Sequence, residues 1–429
     1  VEREFPDGAS ELDGPGRRGF MKVMAASFGF AGLGFSGCRR PEQAIMPYGR
    51  QPEEVIPGVP NYYSTSLPSS FGNQPLVVES HQARPTKVEG NPSYGPYGGS
   101  TGVHAQASVL DLYDPDRSAK SQSRVSRNNK IWHSLSNAKR DALLAECAKA
   151  VSEASGDSKV AFLAAKSSSP TRAKLAKALS NNSNVIWAER DAIDFSGPEN
   201  ALADYFESDQ PIRPVHRLKK AKRIFSLDAD FLGVEPDHLR STRDFSSGRS
   251  VSSHKNAAQQ MNRLYAVEAN LTLTGSMADH RLRLNASQTA PFAHLLAAEV
   301  LSQAKAAPAS VIKALRAEAK DLKEHAKWVS EAAKDLVGNA GKSVVLAGSH
   351  LPATTHVLTY AMNQALKAIG NTVKYVQVEA DSSATEDDLL EEVEKGSVKT
   401  LVFVGGNPGY DSSRDWESLL KNVAKVVRF

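Results

Sequence analysis

Cysteine is the scarcest chemistry-bearing residue in this chain. Its 429 residues contain two, Cys38 and Cys147. That is too few for an iron–sulfur cluster, which takes about four thiolates. Neither stands in a Cys-x-x-Cys-His motif, so c-type haem attachment is excluded. Long apolar runs are also lacking. No stretch of about 18 apolar residues follows the N-terminal segment, so nothing downstream reads as a membrane span. Charge of one sign is scarce too, with a net charge of +4. The single basic block, Arg217-Leu218-Lys219-Lys220-Ala221-Lys222-Arg223, reads as a solvated loop and not as a nucleic-acid interface. What remains is an ordinary globular composition, 41% hydrophobic and 23% charged. The length allows two or three domains.

The N-terminus carries the most specific local signal. Residues 1–16 are acidic and contain Gly and Pro. Gly16-Arg17-Arg18-Gly19-Phe20-Met21-Lys22 then forms a twin-arginine pattern, with Phe20 and Lys22 in the places such signals use. The stretch from Val23 to Gly37 is apolar but too short and too rich in small residues for a spanning helix, which is the character of a signal h-region. Phe35-Ser36-Gly37-Cys38 has the form of a lipobox, with Phe35 in place of the preferred Leu. The expectation is export by the twin-arginine route and lipidation at Cys38. That would leave a globular body anchored at the periplasmic side of the cytoplasmic membrane.

The stretch after Cys38 contains Ile56-Pro57-Gly58-Val59-Pro60-Asn61-Tyr62-Tyr63, then Arg84-Pro85-Thr86-Lys87-Val88-Glu89-Gly90-Asn91-Pro92 and Asp111-Leu112-Tyr113-Asp114-Pro115. Further on come Met261-Asn262-Arg263-Leu264-Tyr265, Thr274-Gly275-Ser276-Met277-Ala278-Asp279-His280 and Gly405-Gly406-Asn407-Pro408. As a set these resemble the molybdopterin-oxidoreductase-like iron–sulfur subunit (ActB) of bacterial alternative complex III, over nearly the whole chain. In the wider molybdopterin family the Arg84–Pro92 type of segment follows a four-cysteine cluster motif. Here residues 62–78 contain no cysteine. The resemblance therefore implies a cofactor-free version of the domain. It also implies [4Fe–4S] and [3Fe–4S] clusters in a part beyond Phe429. The implied partners are a multihaem cytochrome c and an integral membrane quinol-oxidising subunit, with no nucleic acid.

The expected fold class is α/β and molybdopterin-oxidoreductase-like, with two parallel-sheet units, helices on both faces and an irregular N-terminal domain. The expected division is signal and lipobox 1–38, loop-rich entry domain 39–130, first α/β unit 131–289, helical bridge 290–340 and second α/β unit 341–429. Short apolar runs at 159–163, 185–188, 223–227, 343–348, 372–378, 400–404 and 425–429 read as strands between helices, hence parallel. Pro308 interrupts the bridge, and Gly370 reads as a helix stop. Glu89-Gly90-Asn91-Pro92 reads as a turn with Gly90 at positive φ. The final run reads as a central strand, so the chain is expected to be a piece of a longer protein.

No catalytic, cofactor-binding or metal-ligating set is expected in this segment. Asp228 and Asp230 follow a strand, where a cofactor reading competes with helix capping, and capping is preferred. The turns Gly348-Ser349-His350 and Gly405-Gly406-Asn407-Pro408 follow strands too, but neither matches Gly-x-Gly-x-x-Gly or a P-loop. His280 and His356 read as structural, and Cys147 as an inert thiol on the apolar face of a helix. Two functions fit. One is a non-catalytic scaffold within a quinol:electron-acceptor oxidoreductase of respiratory or photosynthetic electron transport. The other is the catalytic subunit of a molybdenum enzyme of the polysulfide or tetrathionate reductase type. A free periplasmic lipoprotein binding a small molecule is a third, weaker reading.

Overall fold

The computed structural model describes residues 21–22, 24–25, 27, 49–70, 72–124, 131–250, 261–379 and 383–429. The chain divides into two compact units, residues 1–56 and 57–429. In the first, the described residues 21, 22, 24, 25 and 27 are helical and exposed, Lys22 among them. Arg17, Arg18, Phe20 and Cys38 lie outside the described residues.

The larger unit opens with an antiparallel meander where a loop-rich segment was expected. Its strands are Asn61–Ser69 (β1), Gly72–His81 (β2) and Arg84–Gly90 (β3), paired in that order. Helix α1, Val103–Asp111, packs on them, and Leu76, Val88 and Ala105 make a small core. The turn between β2 and β3 explains the misreading. Gln82 and Ala83 both adopt left-handed φ, 50° and 64°. Hairpin turns of this kind normally announce themselves with Asn-Gly or Asp-Gly. Gly90 is also not the positive-φ residue expected. It ends β3, and a β-carbon there would lie 2.3 Å from the Ser100 carbonyl oxygen and 2.5 Å from that of Gly99. Glycine is required because two backbones meet, not because the chain turns.

Two parallel four-stranded sheets follow. The first is built from Lys159–Ala165 (β4) and Val185–Arg190 (β5) with two strands from the end of the chain, Val398–Val404 (β12) and Lys425–Arg428 (β13). Its order is β13-β12-β4-β5. The second holds Arg223–Leu227 (β7), Arg263–Glu268 (β8), His280–Arg283 (β9) and Ser343–Ala347 (β10), in the order β9-β8-β7-β10. Ile212–His216 (β6) pairs antiparallel with Val373–Gln377 (β11). The expected blocks 131–289 and 341–429 therefore each give strands to both sheets. Periodicity marks a strand, but a parallel partner lies a crossover away and is not readable from the run itself. Among the described residues the strand at 425–428 pairs on one side, with β12.

Helices cover both sheets, and their starts follow local rules. Asn137–Ser152 (α2) begins where the Ser136 hydroxyl accepts from the Lys139 amide. Pro170–Leu179 (α3) has proline in its first turn, where its missing N–H costs nothing. Gly197–Tyr205 (α4) and His238–Ser247 (α5) follow β5 and β7. Ala286–Gln303 (α6), Ala309–Glu318 (α7) and Ala326–Gly338 (α8) form the expected bridge, with Pro308 capping α7. Ala353–Ala365 (α9) ends five residues before Gly370. Glu386–Glu394 (α10) starts with a capping box between Thr385 and Asp388. The larger core joins Ile224, Phe225, Leu264 and Val345 of the second sheet to Phe292, Leu296 and Leu336 of the bridge, all essentially inaccessible. The smaller gathers Leu163, Ala188, Leu401 and Phe403 against Leu389, Val393 and Trp416. The basic block is only partly solvated. Leu218 and Ala221 are buried, and Arg223 opens β7 with its Nε 2.6 Å from the Asp335 carboxylate.

A Gly90→Ala substitution forces a β-carbon into two carbonyl oxygens. Chemical denaturation should show a loss of about 1–3 kcal/mol, the usual range for overpacking.

Candidate functional site

In a parallel sheet every strand ends on the same side, and open α/β folds bind ligands in the crevice beyond those ends. Here β4, β5, β7 and β10 deliver loops to one cleft of 2290 Å³. Lys166–Ser168 follow β4, Asp191 and Asp194 follow β5, and Glu235 and Asp237 follow β7. Ser349 follows β10, and His216 ends β6.

The turns after β7 and β10 touch. A β-carbon on Gly348 would lie 2.3 Å from the Asp228 carbonyl oxygen, so only glycine lets the two backbones meet. Across this contact His350 Nε2 lies 3.2 Å from Asp228 Oδ2, and that carboxylate raises the imidazole pKa. The Ser349 amide donates to Glu235 Oε1 at 3.0 Å. Burial still drives the Glu235 pKa up. Asp230 accepts from the amide and hydroxyl of Thr274 at 3.0 and 2.8 Å. The capping reading of Asp230 thus fits its contacts. Asp228 holds a histidine instead, with left-handed φ at 49°.

Among the charged side chains of the walls, carboxylates outnumber the basic ones. Burial raises the pKa of Asp191 and of Asp237 as well. The four arginines of the walls are each held by protein carboxylates. Arg190 binds Glu386 through Nε at 2.8 Å and Asp411 through a terminal nitrogen at 2.5 Å. Arg213 lies 2.5 Å from Glu199, Arg414 lies 2.6 Å from Asp387, and Arg240 pairs with Asp237. Half-buried His216 faces Arg240, and burial together with that guanidinium pushes its imidazole pKa down to about 4. The result is a cleft where burial raises the pKa of Asp191, Glu235 and Asp237, and where, against burial, hydrogen bonds from Ser196 hold that of Asp194 down. The His216 imidazole is neutral and each arginine is paired.

The other sequence candidates lie apart from this constellation or have modest roles. His356 is buried in α9, its Nε2 3.1 Å from the Leu351 carbonyl oxygen. His280 is exposed and stacks on Tyr265, ring centroids 4.9 Å apart, which is a packing role. Cys147 lies on α2, which buries none of its residues, so the thiol is half-buried. Its pKa is raised by burial and opposed by the nearby Lys425. Gly405 and Gly406 form the turn after β12, both at φ +69°. Sequence reasoning missed Arg190, Glu386, Asp411 and His216, and only the position of Arg190 at a strand end hinted at them. Among the described residues no group of three His, Cys, Asp or Glu side chains could hold a metal ion. No described helix is long and apolar enough to cross a membrane.

No protein-family model matches the chain, and no curated protein matches it. Among solved structures, acetylene hydratase from Pelobacter acetylenicus aligns with a TM-score of 0.53 at 10% identity, over 85% of this chain and 58% of that one. The fold is molybdopterin-oxidoreductase-like. The chain thus spans 58% of the length of that neighbour. A formyltransferase/hydrolase complex from Methylorubrum extorquens also aligns, covering 68% of this chain and 78% of that one at 13% identity. Its TM-score of 0.41 is too low to carry an argument.

The site makes two expectations measurable. His216 is neutral in the fold down to about pH 4, whereas an unfolded histidine titrates near 6.5. The unfolded state therefore binds more protons between those values, and stability falls as pH drops through that window. Urea titrations at a series of pH values should show that His216→Asn removes part of this slope. Arg190→Met leaves two half-buried carboxylates without their cation. The cost should be about 1–3 kcal/mol, between exposed and buried ion pairs, read by thermal or chemical unfolding.

Proposed function

We propose that this chain is the non-catalytic, cofactor-free scaffold portion of a subunit of a quinol:electron-acceptor oxidoreductase of the alternative complex III type. The observation that carries the reading is the chemistry of the cleft walls. A fold of this class implies a pterin cofactor, and a pterin of this kind carries phosphate. Phosphate is held by unpaired Arg or Lys and by free backbone N–H groups. Here carboxylates outnumber basic side chains, and each wall arginine is already bound within the protein. Lys166 lies 3.8 Å from Asp194, and among the described residues Lys177 alone of the wall cations has no carboxylate at ion-pair distance. The residues do not fit the group, and no chemical step is derived through it.

The sequence resemblance supplies the rest of the proposal. Export follows from Arg17, Arg18, Phe20 and Lys22, and lipid attachment from Cys38, which places the body at the periplasmic side of the cytoplasmic membrane. Iron–sulfur clusters belong to a part beyond Phe429. The partners are a multihaem cytochrome c and an integral membrane quinol-oxidising subunit. The competing reading, a molybdenum enzyme of the polysulfide or tetrathionate reductase type, separates from this one by elemental analysis. The full-length protein purified from its membrane is expected to contain iron without molybdenum, and to release no pterin on acid oxidation. Stoichiometric molybdenum with pterin overturns the scaffold reading.

A further inference from the structure

The two edges of the meander sheet are built differently. Strand β3, on one side, carries Arg84, Lys87 and Glu89, and its ladder with β2 shifts register between Glu79 and Ser80. Charge and irregularity are common protections for an open edge. Strand β1, on the other side, has neither. It runs nine residues in unbroken register with β2, and no charged residue stands between Pro60 and Ser69. Tyr62 and Tyr63 are 63% and 56% exposed. Among the described residues no strand pairs with its outer side.

The direction of the free backbone groups follows from Pro75. Its carbonyl accepts from the Asn91 amide at 3.0 Å, on the side away from β1. Ser66, its partner on β1, therefore belongs to a pair without hydrogen bonds between the two strands, and its own N–H and C=O point outward. Alternation gives Ser64 and Tyr62 the same direction. Three residues thus present donors and acceptors along about 13 Å of edge. Prolines stand at 60 and 68, each four residues from Ser64.

We infer that β1 is a self-pairing edge, which joins a second copy of this chain by antiparallel addition about a two-fold axis at Ser64. In that register Ser64 faces Ser64 of the second copy, and Tyr62 faces Ser66. Each such pair exchanges two backbone hydrogen bonds. Pro60 falls opposite Pro68, so the position without a donor meets another without one and the ladder stops there at both ends. Tyr63 falls opposite Thr65, an aromatic and β-branched pair of the kind that stabilises sheets. The absence of charge matters most at the axis, where any charged side chain would meet its own copy.

Sedimentation velocity of the full chain over a concentration series tests this, together with hydrogen exchange. A reversible dimer is expected, with the Tyr62, Ser64 and Ser66 amides protected only as it forms. Ser64→Lys and Ser64→Glu should each be monomeric, because like charges then meet at the axis. An equimolar mixture of the two should dimerise again, which a folding defect in either variant would not allow. Four results overturn the inference. They are a monomer at every concentration with these amides unprotected, protection within a monomer, a dimer indifferent to the Ser64 variants, or protection that appears only when another subunit is added.

Discussion

Strand β7 is hydrogen-bonded along both flanks, with Ile224 in register with Leu264 on one side and Val344 on the other. All three strands run the same way, so their ends lie together. That constraint sets the position of the turns that follow β7 and β10. It brings the turn at Asp228 against the turn at Gly348, and Glu235 against Ser349. The ladder of the other sheet does the same for Arg190 at the end of β5. The residues that reach the cleft are far apart in sequence because a parallel sheet joins strands only through crossovers.

The chemistry of the cleft follows from how its charges are used. Arg190 and Arg414 tie a strand end and a turn to the start of α10, Arg213 ties β6 to α4, and Arg240 pairs with Asp237 at the start of its own helix. Arg190 connects the end of β5 to the start of α10 and to the turn at Asp411 in one group. An arginine used this way fixes loop geometry and has no further charge to offer a ligand. A fold alone does not determine function, so what this crevice can hold is decided by the chemistry of its walls.

Much of the element list was legible in the sequence. The apolar run at 223–227 is the strand Arg223–Leu227, and Pro170, Pro308 and Thr385 mark the starts of helices where the structure has them. Three things were not legible, each for a physical reason. The β2–β3 hairpin turns through Gln82 and Ala83, residues without a turn signature. Strands β6 and β9 carry charged or proline residues among their apolar ones, so their runs look broken, and in β8 charges at both ends leave a run of only four, Leu264 to Val267. The cleft groups Arg190, Glu386 and Asp411 converge only through pairing between sheet neighbours that no local pattern encodes. Glycine misled at Gly90, where the demand comes from backbone approach across 9 and 10 residues of chain and not from the residue's own torsion.

The interleaving of the sheets also fixes a clock for assembly. Lys159 at the start of β4 forms its ion pair with Glu392, 233 residues later, and β4 takes β12 as its neighbour. A ribosome adding about 5–20 residues per second needs roughly 10–50 s to cover that separation. Through that interval β4 has its β5 partner but an open, apolar flank, with Val160, Ala161 and Leu163 not yet in their final surroundings. A nascent chain of this topology carries β4 with one flank unpaired for tens of seconds, until β12 has been made.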